Sequence, residues 1–161
     1  TLEVFSTSSQ LKLSYDASNE TTFATGSGGD LTITPSGGDI DLAGNVKITG
    51  QAYSDGIVTL VDGATITPNW NDGNVQKVIL GAVGRTMANP TNIQPGATYI
   101  LVVVQDGSGS RTITTWGTAY EFPANTAPTL TTTADRADVI TLVAYNADTL
   151  MCTSVLDFTI N

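Results

Sequence analysis

The chain has no histidine, one cysteine and only six basic residues among 161. Lack of histidine removes His-based general acid–base catalysis, the serine triad and His-ligated metals together. The single Cys152 excludes an intrachain disulfide. It has no basic neighbour in sequence to activate it, and in Leu150-Met151-Cys152-Thr153 it reads as a small buried hydrophobe. The basic residues, Lys12, Lys47, Lys77, Arg85, Arg111 and Arg136, are scattered, and the net charge is −9. Binding of a phosphate backbone needs clustered Lys and Arg, so nucleic acid is disfavoured, as is charge-driven docking on an anionic bilayer. No signal-peptide pattern is visible. The longest apolar run, Tyr99–Val104, is far too short to span a membrane, so no membrane insertion is expected. Helix-formers are scarce, with three Glu beside the six Lys and Arg.

What remains favours strands and turns. Hydrophobic residues make up 40% and charged residues 13%, so the chain is not a solvated disordered segment. Thr and Val suit strands, and Gly and Asn suit turns. The expected fold class is all-β.

Residues 1–50 alternate apolar and polar side chains in short runs: Leu11–Tyr15, Leu31–Thr34, Ile40–Leu42 and Val46–Ile48. Turn-formers separate them, including Asp16–Asn19, Gly26–Asp30, Pro35–Asp39 and Gly44-Asn45. Each apolar row holds two or three side chains, too few to offset the entropy of ordering one copy. Identical copies are the simplest partner. This stretch is expected to be a β-rich segment completed by oligomerisation, in an elongated, extracellular-type protein. Residues 51–56 read as a linker. Thr1 in place of Met, with Leu2 and Val4 already strand-like, suggests a fragment or a processed product.

From residue 57 the strands lengthen. They are expected at Ile57–Val61, Ala64–Thr67, Val75–Leu80, Arg85–Met87, Thr98–Gln105, Ser110–Thr115, Val139–Tyr145, Leu150–Val155 and Phe158–Ile160. A last strand running to the terminus suggests a natural C-terminus tied into a sheet. Asp62-Gly63 and Asp106-Gly107 are hairpin cues. The Tyr99–Val104 run suits a central strand covered on both faces. So many short strands in residues 57–161 indicate a jelly-roll-like β-sandwich.

Chemistry-bearing residues are few. Glu121, beside Trp116 and Tyr120, is the only glutamate in an aromatic setting, and no second carboxylate can be named to complete a glycosidase pair. Asp72-Gly73-Asn74 and Asp106-Gly107-Ser108 are oxygen-rich turns without calcium-loop spacing. No catalytic residue, metal or cofactor is assigned, and the chain is expected not to be an enzyme. The aromatic rings are more informative. Trp70, Asn71 and Asp72 lie in one polar loop, and Trp116 and Tyr120 in another. Flat rings beside Asn and Asp suit sugar recognition, so these five residues form the candidate ligand site. The alternative is that the rings plug the ends of the sandwich.

The run Leu11–Phe23 followed by Gly29–Gly38 resembles the shaft repeat of tailed-bacteriophage tail fibres and tailspikes. Val61–Trp70, Asn89–Asn92, Gly96–Leu101, Gln105–Thr112 and Trp116–Tyr120 look like a C-terminal domain of phage virion proteins. The resemblance implies a homotrimer on the virion, with a short ribbon- or β-prism-like shaft and a β-sandwich head. Its partners would be other virion proteins and a host-surface glycan or receptor, bound without turnover. It supplies no catalytic residues. The alternatives are a capsid-decoration, head-fibre or baseplate protein with no ligand, and a surface-polysaccharide depolymerase.

Overall fold

The computed structural model describes residues 4, 6–38, 40–54 and 56–160. The chain forms two compact units, Thr1–Gln51 and Ala52–Asn161.

The first unit is an antiparallel meander of β1 (Leu11–Ser14), β2 (Glu20–Thr25) and β3 (Leu31–Pro35). Asp16 closes the first turn: one carboxylate oxygen accepts from the backbone N–H groups of Ser18 and Asn19, each at 2.8 Å. Gly29 makes the second turn at φ 83°, a conformation that favours glycine. The register sets Leu11 opposite Phe23 and Phe23 opposite Ile33, giving one apolar face, while Lys12, Thr22 and Thr34 share the other. None of the described residues of this unit is buried. Leu11, Leu13 and Leu31 are 50%, 55% and 67% exposed.

Two expected strands do not form: Ile40–Leu42 and Val46–Ile48 are irregular and exposed. Each run is three residues long, and no neighbouring strand of this unit completes a ladder with it. The strand-like Leu2, the turn residue Asp39 and the linker residue Asp55 lie outside the described residues.

The second unit contains β4 (Val58–Thr59), β5 (Thr65–Ile66), β6 (Val75–Leu80), β7 (Arg85–Met87), β8 (Thr98–Gln105), β9 (Ile113–Trp116), β10 (Tyr120–Glu121), β11 (Arg136–Asn146) and β12 (Thr149–Thr159). A six-stranded sheet has the order β10-β12-β11-β8-β6-β4, and a three-stranded sheet the order β5-β7-β9. From β4 to β9 successive strands alternate between the sheets, and same-sheet neighbours are parallel. The chain therefore winds through three rungs, and the β11–β12 hairpin then extends the larger sheet antiparallel to β8.

The fold is all-β, with two sheets sharing one core. Its winding differs from the expected jelly roll, whose strands run antiparallel. The Asp-Gly pairs explain the difference, because neither closes a hairpin. Asp62 instead reaches the next rung, accepting from Arg85 through both carboxylate oxygens and from the Gly81 N–H. Asp106 folds over its own loop, accepting from Ser108 N, Gly109 N and Arg111 Nε at 2.9–3.0 Å. Both turns carry the chain from one sheet to the other. The hairpin of this unit lies at Ala147-Asp148.

The expected Leu150–Val155 and Phe158–Ile160 strands are a single strand, β12, interrupted by a bulge. Leu156 and Asp157 oppose Asp138 alone. The buried Asp138 carboxylate fixes that bulge, accepting from Asp157 N at 3.0 Å and Thr131 N at 2.7 Å. The core joins Ile66 and Met87 of the smaller sheet to Leu80, Leu101, Ile140 and Leu142 of the larger. Strand β8 is central, as expected. However, only Tyr99, Leu101, Val103 and Gln105 enter the core, while Ile100, Val102 and Val104 stand half-covered on the outer face.

Candidate functional site at one end of the smaller sheet

Strands β5, β7 and β9 run parallel, and their ends are in register at Ile66, Met87 and Trp116. The segments that leave them, 67–72, 88–92 and 117–119, therefore emerge side by side. Asparagine side chains knit them together. Asn69 Oδ1 accepts from Asn71 N at 3.2 Å, Thr91 Oγ1 at 3.3 Å and Asn92 Nδ2 at 2.6 Å. Asn89 Oδ1 accepts from Ala119 N at 2.8 Å, and its amide donates to Thr118 Oγ1 at 3.1 Å. The result is a polar rim that links all three rungs.

This arrangement brings the two expected site groups to the same end of the sheet, on the first and third rungs. The middle rung carries Asn89 and Asn92, which sequence reasoning did not name as site residues. Their signal was present in the Pro and Asn content common to Pro68–Asn71 and Asn89–Asn92.

The rings do not all behave as expected. Trp70 opens a 3-10 turn, Trp70–Asp72, capped by Asn69. It is only 4% exposed, and its ring stacks on Tyr99 at a centroid distance of 4.3 Å and an angle of 12°. Trp70 thus has no free face for a ligand; a large apolar ring in a short polar loop gains more by turning into the core. Asn71 and Asp72 remain at the surface, and Asp72 Oδ1 accepts from Asn69 Nδ2 at 3.0 Å.

Tyr120 is also buried, and its hydroxyl donates to the Ala88 carbonyl at 3.2 Å. Burial raises its pKa above the ordinary phenol value, with the nearby Cys152 thiol adding to the effect. Cys152 itself is buried, its Sγ lies 3.2 Å from the Leu150 carbonyl, and burial pushes the thiol up to about 12. It is held as a neutral thiol, not as a nucleophile.

Trp116 is the partly exposed ring. The edges of Tyr120 and Phe122 support it at centroid distances of 5.2 and 5.1 Å. It lines an open cleft of about 520 Å³ with Thr115, Thr118, Glu121, Phe122 and Asn125. A supported aromatic face ringed by hydroxyl, amide and carboxylate groups suits a polar ligand with apolar patches, such as a sugar. Glu121 is the one carboxylate lining this cleft.

No protein-family model, no curated protein and no solved structure matches the chain.

Proposed function

We propose that this chain is a component of a trimeric phage fibre or spike that attaches to a host surface by binding. One observation carries the reading: the meander of the first unit has an apolar face, yet none of the described residues in that unit is buried. A sheet left this open is stable only when its apolar side is covered, and copies of the same chain supply a matched cover. Three rigidly joined copies would each present the Trp116 cleft, raising avidity without any new contact.

Two measurements test it. The full chain should sediment with the mass of three chains. On a glycan array it should bind reproducibly, and Trp116→Ala should abolish that binding. A one-chain mass for folded protein contradicts the fibre reading.

A second reading is favoured by the enclosure of Trp70 and Tyr120, which leaves one partly exposed ring where three were candidates. On that reading the chain is a structural decoration of the virion with no ligand. A trimer that gives a blank array would support it over attachment.

A further inference from the structure

The outer face of the six-stranded sheet exposes a row of apolar side chains. The register lays Ile79, Val104, Val143, Met151, Val155 and Phe158 on it, drawn from four adjacent strands. Val155 is 61% exposed, and Ile79 and Phe158 nearly half. Along the paired rows from Thr98 to Val104 the face carries just two charges. Lys77 stands on β6, and Glu121 on β10 towards the opposite side. Of the twelve aspartates only Asp138 pairs within those rows, opposite Val103, and it is buried on the core side, although the net charge is −9.

We propose that three copies of this chain pack these outer faces toward a common axis, the Lys77 side of each sheet meeting the Glu121 side of the next. The proposal rests on the trimeric reading above and adds a second interface, in the unit that carries the cleft. Three arguments select a second copy as the occupant. First, no aspartate side chain shares the paired outer rows, and Asp106 and Asp135 come up only at the end beside Ile79 and Val104, so copies of an acidic chain meet little like-charge repulsion across most of this face. Second, Lys77 and Glu121 are four strand spacings apart across the sheet, about 19 Å, and four residues apart along it, about 13 Å, hence roughly 23 Å in all. That is a poor distance for a bond within one chain, but opposite margins of opposite sign are what a head-to-tail ring joins. Third, six strands spaced about 4.8 Å, with central strands about 20 Å long, give a face on the order of 500 Å² in plan. Shared between two neighbours in a three-fold ring, it falls below the roughly 800 Å² per partner of a standard association, so this contact adds to the one in the first unit and does not replace it. Sheets that meet face to face interdigitate their side chains across about 10 Å, and a charge buried unpaired in such a seam is strongly unfavourable.

The test uses the full chain. Lys77→Glu and Glu121→Lys should each weaken association at least about tenfold in sedimentation equilibrium, and the double reversal should restore most of it. Because variants can misfold, the wild-type protein supplies a second readout by hydroxyl-radical footprinting. Met151 and Phe158 should be protected at concentrations where the trimer forms and reactive after dilution, while the enclosed Trp70 stays unreactive throughout. A trimer in which Met151 and Phe158 remain reactive overturns this interface and leaves the trimeric reading standing. Protection that persists in a one-chain species overturns both, since the face is then covered within one molecule. A two-chain species with a protected face overturns the three-fold arrangement.

Discussion

Gly117 has no room for a side chain, because a Cβ there would overlap the amide and side-chain oxygen of Asn89. That contact brings the third rung against the second and permits the Asn89 bonds to Thr118 and Ala119. Gly117→Ala should destabilise the second unit by about 1–3 kcal/mol in chemical denaturation, the usual cost of overpacking. The two tryptophans should separate in the same way. Trp70→Ala removes a buried, stacked ring and should cost about 3–5 kcal/mol. Trp116→Ala should change stability far less and act on ligand binding. The thiol and phenol beside each other, Cys152 and Tyr120, set an alkaline limit. Folding raises the pKa of both, so the native state keeps protons that the unfolded chain releases. Stability from these groups is complete below about pH 9, the ordinary thiol value, and falls as the pH rises toward 12. Native Cys152 should therefore resist a thiol reagent at pH 8 and react once the chain is unfolded. Asp106 works in the opposite sense. The Arg111 hydrogen bond, opposed by desolvation and aided by Ser108 and Gly109, holds its carboxyl below the usual range. Its contribution is present above the ordinary value of 3.8 and declines as the pH drops below it. Acid unfolding that starts in the smaller sheet or its loops, followed by residue-resolved hydrogen exchange, would match this.

At the scale of elements, strand identity was legible and strand partnership was not. Val75–Leu80, Arg85–Met87 and Thr98–Gln105 follow directly from β-branched and alternating composition, and the structure has them at those bounds. The pairing of β6 with β8 depends on chain winding across twenty-five residues, which no local period encodes. Asp-Gly dipeptides misled because the Asp62 carboxylate found a distant partner in Arg85 and the Asp106 carboxylate closed its own loop onto Arg111, turning a hairpin signal into a corner. The bulge at Leu156–Asp157 was hidden for a similar reason, since it is held by Asp138 from the neighbouring strand. The site was half legible. The sequence marked both aromatic loops, but which ring turns inward depends on the tertiary position of Tyr99. A test at this scale concerns the first unit. Leu13→Asp places a charge on the apolar face of the meander and should lower oligomer affinity at least about a hundredfold, roughly 2.7 kcal/mol. The near-ultraviolet spectrum of the second unit should not change, since Trp70, Trp116, Tyr99 and Tyr120 all lie there. A variant that associates as well as the wild type would show that this face is not covered by copies.

On the scale of the whole molecule, the two units divide the work of stability unequally. The second holds every one of the fully buried side chains among the described residues, and the first holds none. A unit without a core must complete itself outside its own chain, and the symmetry of identical copies makes that the least demanding solution. Sedimentation equilibrium on the full chain, taken over a wide range of concentration, tests this most directly. Three chains per particle, dissociating on dilution with loss of order in the first unit by hydrogen exchange, is the predicted result. A single chain at every concentration, with the amides of β1, β2 and β3 strongly protected, would contradict it.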